Sequence, residues 1–154
     1  MYKYNLLYVS ALLSDRKQSL IHNSSRELNS LAAQKLHSLI AKGFLALGNV
    51  ELICLSALPI NWRTFRKRLV LFKNERIGGC EYRYIPSLNI ATLKNLVDAI
   101  WTFIGVWKFR RSNNQGIIVV DVLKVSQLIG VIVGARIWRI PTIGIVTDMP
   151  GIDV

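Results

Sequence analysis

Short apolar runs and helix-period stripes take turns along the chain, and this alternation predicts its elements. Asn5 to Ser10 is a run of β-formers that closes on a polar residue, as expected of a buried first strand. A long polar loop is expected after it. Ser24 with Glu27 three positions on offers a capping box, and Leu28, Leu31, Ala32, Leu36, Leu39 and Ile40 recur on one face of the helix it would open. Gly43 and Gly48 end that helix, and Val50 to Leu55 forms a second apolar strand closed off by Pro59.

Between Asn61 and Gly79 no core period is visible, whereas Glu81 to Ile85 alternates polar and apolar as a third strand would. From Asn89 onward, Leu93, Leu96, Val97, Ile100, Trp101, Ile104 and Trp107 mark a second helix. Lys108, Arg110 and Arg111 stand at its end, where cations complement the helix dipole. Ile117 to Asp121 is four apolar residues followed by an acid, the pattern of a central strand whose carboxyl end opens into a site. A third helix, Lys124 to Trp138, carries Gly130 and Gly134, which would let its backbone lie close to the sheet. Pro141 breaks that helix, and Thr142 to Thr147 makes the last strand, running into Asp148.

This order of elements predicts an α/β fold: a Rossmann-like three-layer sandwich with a mostly parallel sheet, its strands ordered 3-2-1-4-5, and residues 1–154 forming one domain. In such a sheet ligands bind beyond the carboxyl ends of the strands, where the strand order reverses. Ser10, Asp121, Thr147 and Asp148 fall at those ends and are the candidate acceptor-binding residues, offering hydroxyls and carboxylates to a polar ligand. Each also has a plainer reading, as the cap of the next helix or turn. His37 lies off the apolar stripe of its helix and reads as a partly exposed surface histidine.

Composition narrows the classes. With 51% hydrophobic and 19% charged residues the chain has the balance of a packed core. A net charge of +11 points to an anionic partner. Cys54 and Cys80 are the two cysteines, without a C-x-x-C, so neither a disulfide framework nor a metal site is indicated, and a reducing cytoplasm fits. No signal peptide is visible, nor an apolar stretch of about 18 residues for a membrane span. After the first strand stands Val9-Ser-Ala-Leu-Leu-Ser-Asp15 in place of G-x-G-x-x-G, so no dinucleotide cofactor is expected, and no catalytic constellation is complete.

The segment Asn61 to Gly79 is basic and aromatic. Trp62, Arg63, Phe65, Arg66, Lys67, Arg68, Phe72 and Lys73 would, as a helix, set an apolar stripe beside a basic face suited to anionic membrane. A solvated charge run with a few aromatics folded onto the domain is the other reading. Nucleic acid is not the expected partner, because no recognised binding motif accompanies the charge.

Leu6-Leu-Tyr-Val-Ser10, Ala32-Ala-Gln-Lys-Leu-His37, Tyr82-Arg-Tyr-Ile-Pro-Ser-Leu-Asn89 and Ile140-Pro-Thr-Ile-Gly-Ile-Val-Thr-Asp-Met-Pro150 together resemble the N-terminal domain of family-4-type retaining glycosyltransferases of the GT-B fold. The resemblance spans nearly the whole chain and is most specific in its last fifth. It implies that the loop after Ser10 and the strand end at Asp148 line the acceptor side of a cleft. The nucleotide-sugar and the paired-glutamate motif would then belong to a C-terminal domain beyond Val154. It also implies a glycan or lipid-linked acceptor, work at the cytoplasmic membrane face, and no turnover by these residues alone. Many members carry His where Asp148 stands, and a glycine pair common after the first strand is missing. A non-catalytic Rossmann-like binding or regulatory module is the alternative.

Overall fold

A computed structural model describes residues 4–24, 31–60, 67–113 and 115–146. The elements are β1 (Tyr4–Ser10), α1 (Asp15–Ser24), α2 (Leu31–Ala46), β2 (Val50–Ser56), β3 (Leu69–Val70), β4 (Glu75–Ile77), β5 (Cys80–Tyr84), β6 (Ser87–Leu88), α3 (Ala91–Ser112), β7 (Gly116–Asp121), α4 (Val125–Trp138) and β8 (Thr142–Ile145). The chain is thus α/β, with a mostly parallel six-stranded sheet in the order β4-β5-β2-β1-β7-β8.

β1 sits at the centre because its apolar run can be buried on both faces. Leu7 and Val9 enter one core cluster with Val106, Phe109, Val131 and Ala135 of α3 and α4. Leu6 and Tyr8 point the other way, into a cluster that includes Ala41 and is flanked by Ile40, Phe44 and Leu45 of α2. The register is parallel on both sides, Leu7 opposite Ile53 of β2 and Ile118 of β7. Helices therefore cover both faces of the sheet.

The sheet differs from the expected five-strand order by a sixth strand. β4 pairs antiparallel with β5, Ile77 opposite Cys80, around the two-residue turn Gly78-Gly79. Both glycines have positive φ, 58° and 85°, as a tight hairpin turn of this hand requires. Beside it β3 and β6 form a separate antiparallel pair. The basic segment is extended from Lys67 to Ile77, not helical, and its Trp62, Arg63, Phe65 and Arg66 lie outside the described residues.

Several helix expectations change. The polar loop after β1 contains α1, whose last residue is Ser24, so Ser24 closes one helix where it was expected to open another. Helix α2 runs through Gly43 to Ala46, and its buried side is not the leucine stripe: Leu36 and Leu39 are exposed while Gln34, His37 and Ala41 face inward. Gly130 and Gly134 bring α4 close to α3 more than to the sheet. A Cβ at Gly130 would lie 2.4 Å from the Ala99 carbonyl, and one at Gly134 2.9 Å from the Val106 side chain.

Candidate functional site

The chain visits β2 and β5 on one side of β1 and then crosses to β7 and β8 on the other. The order therefore reverses between β1 and β7, and Val9 pairs with Val120 there, so Ser10 and Asp121 are the next residues on the two strands. The loop leaving β1 is tied down on several sides. Leu12 N–H donates to the Ser10 hydroxyl (3.1 Å), so this fully buried serine shapes its own turn. Gln34 clasps the same loop, its amide donating to the Ala11 carbonyl (2.7 Å) and its carbonyl oxygen accepting Leu13 N–H (3.0 Å). The Ser56 hydroxyl, at the end of β2, donates to the Leu12 carbonyl.

Ser14, Tyr84 and Glu75 close the outer side. The Ser14 hydroxyl and the Tyr84 phenol (2.5 Å) both donate to the Glu75 carboxylate. Partial burial pushes that carboxyl up, but those two hydrogen bonds and the charges of Lys17 and Arg16 outweigh it and hold Glu75 below the usual glutamate range. Tyr84 is pushed up by burial first, and then by its bond to the carboxylate.

At the floor of the rim is a buried polar relay. The Tyr8 hydroxyl lies 2.6 Å from His37 Nδ1, and His37 Nε2 lies 3.3 Å from Asp121 Oδ2. With the ring proton on Nε2, the imidazole turns its N–H toward Asp121 and accepts the Tyr8 hydroxyl, so one tautomer suits both neighbours. Asp121 Oδ1 accepts Leu123 N–H (3.1 Å), which turns the chain toward α4. Burial, then the Asp121 charge, push the Tyr8 phenol up, so it remains a neutral donor.

His37 is thus buried at 3% exposure, not a surface histidine. It is inward because the end of the sheet offers it a phenol and a carboxylate. Of the four expected acceptor residues, Ser10 and Asp121 are brought together at the reversal. Thr147 and Asp148 lie outside the described residues; the strand leading to them ends at Ile145, which pairs with Asp121. Sequence reading missed Tyr8, Gln34 and His37. Their signal was the polar pair Gln34 and His37 in phase with Ala41, a helix face polar at one end and small at the other.

Of the expected membrane residues, Lys67, Arg68 and Lys73 are exposed. Phe72 is half-buried, packed edge-on against Tyr84 (5.7 Å between rings) with the Lys17 ammonium over its face (4.7 Å). Among the described residues no helix is long and apolar enough to cross a membrane. Nor do three His, Cys, Asp or Glu residues converge on a metal position among them. A separate cavity of ≈ 460 Å³ lies by Tyr4, Arg110, Gly116 and Arg139, at the amino ends of β1 and β7 and so away from the reversal rim. No protein-family model, curated protein or solved structure matches the chain.

Proposed function

We propose that this chain is the acceptor-side, Rossmann-like domain of a glycosyltransferase that moves a sugar from a nucleotide-sugar to a glycan or lipid-linked acceptor. Its five parallel strands would be the 3-2-1-4-5 core of that domain, with β4 added at an edge. The observation that carries the reading is the abutment of Ser10 and Asp121 at the strand-order reversal, joined to the sequence resemblance over the same strands. Ser10 and Asp121 are themselves buried and engaged with Leu12, His37 and Leu123, so they would set the shape of the rim on which the acceptor rests. Thr147 and Asp148 would complete that wall, and the donor would be held by a second domain. The exposed Lys67, Arg68 and Lys73, with Trp62, Arg63, Phe65, Arg66 and Phe72, would draw the domain to anionic membrane at the cytoplasmic face.

Amide NMR of the labelled chain tests this. Acceptor-type oligosaccharides are expected to shift Ala11 to Ser14, and nucleotide-sugars to leave these residues unmoved, with no sugar transfer by the chain alone. Binding of the nucleotide-sugar at these residues, or measurable transfer, would overturn the reading. For the membrane contact, co-sedimentation with anionic and neutral vesicles is the measure. Equal binding to both, or no loss on neutralising Arg66, Lys67 and Arg68, would remove it.

A further inference from the structure

A second polar cluster lies where α3 and α4 begin, on the same end of the sheet but outside the Tyr8–His37–Asp121 relay. An open cavity of ≈ 660 Å³ is lined there by Lys94, Asn95, Asp98, Lys124 and Ser126. Lys94 Nζ donates to Asp98 Oδ2 at 2.8 Å, with the two side chains 16% and 2% exposed. The other carboxylate oxygen, Asp98 Oδ1, is buried and has no hydrogen-bond partner. A buried acceptor left in that state calls for an explanation.

Three further features converge on the cavity. Two ammonium groups, those of Lys94 and Lys124, line the cavity with the Asp98 carboxylate. Burial first, and then the charge of Lys94, push Lys124 down to about 8 against the opposing charges of Asp98 and Asp121. Lys124 is also the N-cap of the 14-residue helix α4, and no side chain caps that end. Its first-turn amides and the positive end of its dipole are directed at whatever occupies the mouth.

We propose that this cavity binds a hydroxyl-bearing phosphate ester. The phosphate oxygens would accept from the Lys124 and Lys94 ammoniums, the Ser126 hydroxyl and the α4 amides, and a ligand hydroxyl would donate to Asp98 Oδ1. The first contacts pair the ammoniums with negative charge, and the second satisfies the orphan acceptor. Sulfate carries no proton near neutral pH and can make only the first set, so the site should prefer the ester. The exposed Leu123, Val125 and Ile129 at the edge would tolerate a lipid chain as well as a soluble ester. The inference does not depend on the transferase reading, because it concerns a different set of side chains and needs no sugar transfer.

The test is titration of the labelled chain with glycerol 1-phosphate, sulfate, and phosphatidylglycerol in phosphatidylcholine vesicles. Glycerol 1-phosphate is expected to shift the amides of Leu123 to Gln127 and to bind more tightly than sulfate. Lys124→Met should weaken it roughly tenfold, the loss of one charge-assisted hydrogen bond. Arg110→Gln, which removes a cation from the opposite end of the sheet, should change nothing. Vesicle binding that is equally Lys124-dependent while the soluble ester fails would assign the phosphate to a lipid headgroup. Shifts spread over all basic surfaces, insensitivity of every ligand to Lys124→Met, or equal affinity for sulfate would overturn the proposal. The melting temperature of Lys124→Met, expected not to fall, separates lost binding from lost fold.

Discussion

His37 Nε2 stands 3.3 Å from Asp121 Oδ2 and so joins a helix on one face of the sheet to the carboxyl end of a central strand. Both side chains are nearly inaccessible, and the second ring nitrogen is taken by Tyr8. Removing the imidazole leaves a buried carboxylate and a buried phenol without their common partner. His37→Phe, which keeps a ring in place, is expected to cost about 3 kcal/mol in urea denaturation. Tyr8→Phe loses one hydrogen bond and should cost about 1.5 kcal/mol. The double variant should cost less than the sum, because both act on one network. Strict additivity would show that the three groups are not coupled.

How much of this was legible depended on where the hydrophobic signal lay. β1, β2 and β7 could be read because strands buried on both faces are continuous apolar runs, and the alternation with helices followed. α1 could not: Asp15-Arg-Lys-Gln-Ser-Leu-Ile-His-Asn-Ser24 has only Leu20 and Ile21 as apolar residues, and Ile21 alone is buried. β4 is polar and short, although Gly78-Gly79 before Cys80 was a hairpin signal in plain view. Half of the rim, Ser10 and Asp121, followed from strand ends. His37 did not, because a polar residue off a leucine stripe looks solvated until the sheet end supplies its partners. Lys94 and Asp98 look in sequence like an ordinary surface pair four apart, and only the fold places Lys124 beside them.

The α3–α4 contact makes a sharp prediction about two glycines. A methyl at Gly130 would meet the Ala99 carbonyl at 2.4 Å and the Thr102 side chain at 2.9 Å. A backbone oxygen cannot move aside cheaply, so Gly130→Ala should destabilise by about 2 kcal/mol or more. At Gly43, within α2, nothing lies within 4 Å of the added methyl. Gly43→Ala should therefore stabilise by about 0.5–1 kcal/mol through helix propensity. Matched denaturation curves measure both, and a stable Gly130→Ala would mean the helices are farther apart than described.

Glu75 gives the fold an acid-sensitive tie. Its carboxyl is held below the usual range in the folded chain, so the unfolded chain takes up the proton first as pH falls. The stabilisation is complete above the unfolded value of 4.5 and is lost as pH falls through the lower folded value. Glu75→Gln should remove that dependence. The gap in stability between wild type and variant should be constant near neutrality and narrow below about pH 4.5. A gap that widens in acid would show that the hydroxyls of Ser14 and Tyr84 favour the neutral carboxyl.

Lys124 acts with the opposite sense. Burial pushes its ammonium down to about 8 in the folded chain against 10.5 for a free lysine, so between these limits the unfolded chain binds more protons and stability rises with pH. Below about 8 both states carry the charge and the penalty is constant. Lys124→Met should therefore be more stable than wild type at neutral pH, by about 1 kcal/mol once solvent screening is allowed for. The advantage should fade as pH is raised to 10.5. Melting temperatures across that range decide the matter: an advantage that grows with pH would contradict a desolvated lysine.

Cys54 and Cys80, on neighbouring strands in the α2-side core, have sulfurs 3.1 Å apart. Their hydrogen bond holds the Cys80 thiol below its usual range and pushes Cys54 well above it, burial adding to the latter. Cys80 is therefore the partner expected to form the thiolate, with Cys54 resolving it. With hydrogen peroxide the Cys80 thiolate would attack one peroxide oxygen and release hydroxide, leaving a sulfenic acid. Cys54 would then attack that sulfur, expelling water and closing a disulfide. Since both side chains are shielded, at 0% and 2% exposure, the reaction should be slow and limited by opening of the core. Mass spectrometry after denaturing alkylation is expected to show the loss of two hydrogens and no alkylated cysteine. In Cys54→Ser the Cys80 sulfenic acid should instead be captured by dimedone. Recovery of two alkylated cysteines after prolonged treatment, with the urea-unfolded chain fully oxidised, would show that the pair never opens to the oxidant.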